Sequence, residues 1–354
     1  MKSSLCTPGA LLLLSALASA DVLMLAPDKD NTLYEEAGGT LSNGAGDWVF
    51  SGNIAVGGLR RALVHFDVSG IPAGSTINSV ELRLRMDRTI AGAQMVGVHE
   101  VLADWGEGDS DAFGEEGTGT ASADCDATWI DAFYAGGACS GSLWSTAGGD
   151  FDPTASATTS VAGSAKYTWG SSAGLVADVQ GWVDTPGTNF GWVLVHVNEV
   201  TTTTAKRYSS REGFSPPELE IDFTPPACAV SNYCAVNPNS TGSPAIISFA
   251  GSCVAAVDDF TLMAGPVPDQ PFLFFFGNSQ IQVPFGNGFL CAGGGITRLN
   301  PPAFASGGTA VRHVDLPAWG LVAGTHKNFQ CWFRDPAGGG AAFNTSDGLD
   351  VTFQ

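Results

Sequence analysis

Basic side chains are scarce in this sequence. Fifteen Lys and Arg stand against 35 Asp and Glu in 354 residues, a formal net charge of −20. The deficit argues against nucleic acid as a partner, because phosphates must be neutralised by Lys and Arg. Long apolar runs are also missing. No stretch approaches the ~20 residues that a membrane-spanning helix needs, so no membrane span is expected. Histidine is sparse, and His65, His99, His196, His313 and His326 form no H-E-x-x-H or other metal-binding spacing. Nor is there a phosphate-cradling glycine loop. No catalytic residue is assigned, although carboxylates are abundant enough that a glycosidase pair stays open, since only their separation in space decides. Disorder is excluded from the other side: 44% hydrophobic residues and a mean hydropathy of +0.12 are too apolar for a chain that stays unfolded.

What is present points to secretion and to β structure. Lys2, the apolar run 10–17 and Ala18-Ser19-Ala20 have the order of a signal peptide over residues 1–20, with Asp21 starting the mature chain. Cys6 would leave with it, and seven cysteines remain. In an oxidising compartment most should pair, and an odd number leaves one thiol over.

Composition breaks at Thr224-Pro225-Pro226. The first 224 residues carry 28 acidic and 11 basic side chains, and the rest 7 acidic and 4 basic. Paired prolines between strand-like segments read as a short stiff linker over 224–227. The length suits two domains, 21–223 and 228–354. In the first, Val80, Leu82, Leu84 and Met86 alternate with Glu81, Arg83 and Arg85, the period of a half-buried strand with a charged outer face. Segments 63–68, 192–197 and 219–223 also read as strands. Leu175, Val176, Val179, Trp182 and Val183 make one helical stripe, with Ser171 or Ser172 available as N-cap. Short strands, Gly-rich turns and one short helix predict an all-β protein whose first domain is a jelly-roll-like β-sandwich. The second domain, with short apolar runs near 245, 260, 272, 281, 311, 329 and 349, predicts a smaller sandwich.

Residues 106–166 break the rhythm with Gly, Ala, Ser, Thr and Asp around isolated aromatics. A loop that long is expected to be stapled or functional. Cys125 and Cys139 should close it, worth ~3 kcal/mol in a loop-entropy picture.

Three groups of residues invite a ligand, and each has a plainer reading. Trp105, Trp129 and Trp144 sit in irregular polar surroundings where an exposed indole could stack on a sugar ring, or could instead pin the long loop. The acidic run around Asp104 and Glu107 offers hard oxygen ligands for a structural calcium ion, or is a solvated turn. Asp124, Asp126 and Asp131 are weaker candidates for the same ion. Arg83 and Arg85, with Arg60, Arg61, Arg88, Lys206, Arg207 and Arg211, could form a positive patch for carboxylated polymers, or pair with neighbours such as Glu81 and Glu212.

Across residues 21–223 the order of short motifs resembles the DNRLRE domain. The matching residues are Asn31-Thr32-Leu33-Tyr34-Glu35, Ser42-Asn43-Gly44, Phe66-Asp67-Val68, Ile71-Pro72-Ala73-Gly74, Asp104-Trp105-Gly106-Glu107-Gly108, Asn189-Phe190-Gly191-Trp192 and Ser210-Arg211-Glu212. That family is secreted, bacterial and β-sandwich, and it is related to family ninety-six carbohydrate-binding modules. The resemblance implies binding of extracellular polysaccharide without supplying ligand residues, and Cys125 and Cys139 are additions to its pattern. The second domain is similar to C-terminal domains of large secreted proteins of environmental bacteria, through Tyr233-Cys234, Val283-Pro284-Phe285-Gly286-Asn287-Gly288 and Trp332-Phe333-Arg334-Asp335-Pro336. Those domains tend to end in a cysteine where this chain has Gln354. In that frame Cys228 is expected to pair with Cys234 and Cys253 with Cys331, leaving Cys291 free. The resulting expectation is a secreted, non-catalytic protein that binds extracellular polysaccharide or cell-surface matrix. A structural or adhesive surface protein is the alternative, and a polysaccharide lyase or hydrolase is a third.

Overall fold

The structure, a computed structural model, describes residues 20–354. The leader read over 1–20, with Cys6, therefore lies outside the described residues except for Ala20. Among the described residues the protein is all-β with one α-helix, and these divide into two compact units, Ala20–Pro225 and Pro226–Gln354. Among the described residues no helix is long and apolar enough to cross a membrane.

The first unit is a sandwich of antiparallel strands. One sheet holds Asp21–Leu25, Glu218–Thr224, Thr76–Thr89, Ala165–Trp169 and Lys206–Ser209. The other holds Lys29–Tyr34, Leu59–His65, Trp192–His196, Gln94–Glu100 and Ala157–Val161. Strand Trp48–Asn53 turns the corner between them: Trp48 to Ser51 pair with Lys206–Ser209, while Gly52 and Asn53 pair with Arg60 and Leu59. The bend needs Gly52. Its φ is +102°, and an added Cβ would lie 2.6 Å from the His196 ring.

The alternation along Thr76–Thr89 sends Val80, Leu82, Leu84 and Met86 into the sandwich core. The helix Ala173–Asp184 closes that core with Leu175, Val179, Trp182 and Val183. Ser172 is its N-cap, accepting from the Leu175 N–H at 3.1 Å.

Strand Trp192–His196 is buried throughout. Trp192 and Leu194 face the sandwich core, whereas Val193 and Val195 face a second apolar cluster. The segment after Glu100 lies over the outer face of this sheet and supplies that cluster's Trp105, Ala127, Trp129, Ala132 and Trp144. A sheet covered on both faces reads as a continuous apolar run rather than an alternating one. The Cys125–Cys139 disulfide closes the segment as expected, with Cα atoms 5.3 Å apart.

The second unit wraps a phenylalanine-rich core, including Phe260, Phe272, Phe274, Phe329, Phe333 and Phe353. Ala229–Tyr233, Phe343–Thr352, His326–Arg334 and Pro271–Gly277 form one sheet, and Ile246–Ala250, Thr261–Gly265 and Ala310–His313 another. The expected disulfides here are corrected. Cys228 pairs with Cys253 and Cys234 with Cys291, leaving Cys331 free and buried. Cys228 and Cys234 cannot meet, because they flank the extended strand Ala229–Tyr233 and so stand ~20 Å apart, against under ~7 Å for a bridge. Cys331 lies mid-strand opposite Phe274, facing a core of phenylalanine. Of the seven cysteines among the described residues, a thiol reagent should therefore label none in the folded protein, and Cys331 alone after unfolding without reductant. Labelling at Cys291 in a non-reducing peptide map would contradict this pairing.

Candidate functional site

The three loop tryptophans are not a sugar platform. Trp105, Trp129 and Trp144 are 0%, 8% and 5% exposed. Trp105 donates to the Phe190 carbonyl at 2.8 Å and Trp144 to the Thr128 carbonyl at 2.9 Å, so both indoles are spent on packing the segment against the sheet. The positive patch is likewise dissolved by pairing. Arg83 bridges Glu81 and Glu220, and Arg61 holds Glu199 at 2.7 Å. Arg85 reaches Ser164, at 3.1 Å, and no carboxylate among the described residues. Asp104 is taken by Lys29 at 3.0 Å. Asp124 and Asp126 accept backbone N–H groups of their own loop, at Gly136 and Gly108, and Asp131 accepts from Thr128.

Two features remain, and the turn 210–215 joins them. It is fixed to the loop before Trp48: the Ser210 N–H donates to the Asp47 carbonyl at 3.0 Å, and Ser210 Oγ donates to the Gly46 carbonyl at 2.7 Å.

The first feature is an exposed aromatic pair. Phe214 is 70% exposed and meets Trp48 edge-on, with ring centroids 5.6 Å apart. Trp48 and Arg207 project outward from paired strands, and the Arg207 guanidinium lies 4.0 Å over the indole. Arg207 is itself held by a two-pronged contact with Asp87, at 3.0 and 2.6 Å, and by Glu115 at 2.6 Å. Arg88 also pairs with Glu115. Arg207 also lines a shallow groove with Phe50, Arg88, Ile90 and Glu115.

The second feature is a carboxylate cluster. One oxygen each of Asp30, Glu107 and Glu212 lie within 4.8 Å of one another. The Arg211 backbone N–H donates to Asp30 Oδ2 at 2.7 Å, while its guanidinium contacts Glu107 at 2.9 and 3.0 Å and Glu212 at 2.8 Å. Gly106 places Glu107: a Cβ there would sit 1.9 Å from the Cys125 carbonyl oxygen, so only glycine lets the two backbones pass. Burial raises the proton affinity of Asp30 well above the ordinary carboxylate range, and the charges of Glu212 and Glu107 add to it. Burial also raises Glu107 and Glu212. Of the calcium ligands expected from sequence, Glu107 lies in this cluster, while Asp104 belongs to Lys29. Neither Asp30 nor Trp48 carries a distinguishing sequence signal: a lone carboxylate near a strand's start reads as a turn residue, and a tryptophan within a strand reads as core.

One further motif is present in the sequence. Gly170-Ser171-Ser172-Ala173-Gly174 has the G-x-S-x-G spacing of a nucleophile elbow between a strand and a helix. Here Ser172 Oγ donates to the Ser156 carbonyl at 2.6 Å while capping the helix, and Ser171 Oγ accepts from the Val80 N–H at 3.2 Å. Neither hydroxyl bonds a histidine among the described residues.

No family model matches the chain, and no curated protein matches it in sequence. Among solved structures, the beta-1,2-glucanase from Parabacteroides distasonis is similar at 11% identity, with a TM-score of 0.18 over 96% of this chain. This chain spans 38% of that one's length. A likeness of that size carries no argument about fold, substrate or activity.

Two bases are buried in the first unit, Lys206 on the strand that presents Arg207 and His196 at the end of Trp192–His196. Lys206 is fully buried, and its Nζ donates to the carbonyls of Gly92 and Ala162 at 2.8 and 2.9 Å. His196 bonds Ser51 Oγ at 3.0 Å; burial, with a smaller contribution from Lys206, pushes its imidazole down to about 4. A histidine whose folded-state pKa lies below its unfolded value of about 6.5 contributes stability that is present above that value and lost as pH falls through 4. The loss should reach ~3 kcal/mol, from 1.36 kcal/mol per unit. Relative to wild type, His196→Gln should flatten the dependence of unfolding free energy on pH between 6.5 and 4 in denaturant titrations. Parallel curves for the two proteins would refute the assignment.

Proposed function

We propose that this is a secreted, non-catalytic protein whose first unit, a DNRLRE-like module, binds extracellular polysaccharide. The observation that carries the reading is Phe214, a large aromatic ring left mostly exposed and braced by Trp48, whose other face meets Arg207, a residue of the shallow groove. Sugar rings present apolar C–H faces to such a ring and hydroxyls to the polar groups around it. Neutral polymers fit better than carboxylated ones, because Arg83, Arg88, Arg207 and Arg211 are already paired with this chain's own carboxylates. The three disulfides belong with an oxidising compartment, which supports secretion.

Affinity electrophoresis through gels containing neutral glucans, mannans and xylans, with alginate as the anionic comparison, tests this. At least one neutral polymer should retard the protein, and Phe214→Ala should weaken retardation by about tenfold, from loss of one stacked ring. Because Phe214 is exposed, the variant should unfold at the wild-type temperature. Passage through every gel without retardation, with or without calcium, overturns the binding claim. Release of reducing ends from any polymer overturns the non-catalytic one.

A further inference from the structure

We propose that Asp30, Glu107 and Glu212 form a binding site for a hard divalent cation, of the calcium type, at the base of the turn 210–215. Three oxygens from separate elements converge within 4.8 Å, close enough for one ion to touch all three. The elements are the strand Lys29–Tyr34, the start of the long segment and the turn itself.

Asp30 distinguishes this cluster from an ordinary acidic surface. It is 1% exposed, and its Oδ1 has no hydrogen-bond partner among the described residues. A buried carboxylate oxygen left unpaired is costly, and a bound ion removes the cost. Charge agrees: with all three carboxylates ionised, as ligands to an ion must be, the single Arg211 guanidinium leaves two negative charges, the charge of one divalent cation. An all-oxygen set with no imidazole or thiolate favours calcium or magnesium over zinc or copper. Glu212 stands exposed at the rim, so the ion has a route in from solvent and keeps water ligands. With Arg211 alongside, affinity should be that of extracellular modules, ~10⁻⁴–10⁻³ M. The other group of similar shape, Asp124 with Cys125 and Cys139, has its sulfurs in a disulfide and its carboxylate on backbone N–H groups.

The test uses the full mature chain, stripped with chelator and titrated with calcium chloride or magnesium chloride. Calorimetry should give a saturable one-site isotherm with calcium, and the melting temperature should rise with it and fall back with chelator. Glu212→Gln, at the exposed rim, should weaken binding by about tenfold through loss of one charged ligand. Asp30→Asn should abolish it, while Asp104→Asn should leave it unchanged because Asp104 is held by Lys29. Should Asp30→Asn fail to fold, Glu212→Gln and Asp104→Asn decide alone. No heat and no melting shift up to ~10 mM of either ion, tenfold above that affinity range, overturns the proposal, as does binding that survives Glu212→Gln but is lost in Asp104→Asn. Polysaccharide retardation is read separately, so failure here leaves the glycan reading standing, and the converse holds.

Discussion

The first unit depends on covering both faces of one sheet. Strand Trp192–His196 divides its side chains between two apolar clusters, Trp192 and Leu194 on one side and Val193 and Val195 on the other. The inner cluster is closed by the opposite sheet and the helix. The outer one exists only because the segment after Glu100 folds down upon it. Burying one large aromatic side chain contributes roughly 2–3 kcal/mol, and three tryptophans of this segment are so buried. Their indole N–H groups are also satisfied where the chain needs it, at Phe190 and Thr128.

That packing positions the chemistry. With Trp105 sunk into the outer cluster, Gly106 passes against Cys125 and the next residue, Glu107, emerges beside Asp30 and Arg211. The same Arg211 lies in the turn that ends in Phe214 against Trp48. The carboxylate cluster and the aromatic pair are thus two ends of one short stretch of chain, and an ion at the first would steady the turn that carries the second. Polar packing continues beneath them: Asn31 Oδ1 accepts from Thr32 and Ser42, and Asn43 donates to Glu116, filling a region that a purely apolar core could not.

Much of the fold was legible in the sequence because its signals are local. The two-residue period around Leu82, the helical stripe through Val179 and the spacing of Cys125 and Cys139 each report a neighbourhood the chain makes with itself. The site was less so. Isolated tryptophans among Gly and Ser look exposed until the sheet they cover is known, so Trp105, Trp129 and Trp144 read as platform candidates when they are core. Pairing of Arg83 with Glu81 was open to the sequence, but its second partner Glu220 is distant along the chain and adjacent only across paired strands. The disulfides of the second unit failed for the same reason: Cys234 and Cys291 meet through tertiary packing, and nothing in their spacing declares it.

The central claim is that the long segment is a structural cover and not a free ligand-gripping loop. Native-state hydrogen exchange, resolved to single amides, tests it most directly. The amides of Gly106, Ala127, Tyr134 and Trp144, which bond the carbonyls of Ala132, Gly106, Asp126 and Ile130, should exchange only as slowly as the sandwich strands. Exchange of these four within seconds, while the strand Trp192–His196 stays protected, would contradict the account.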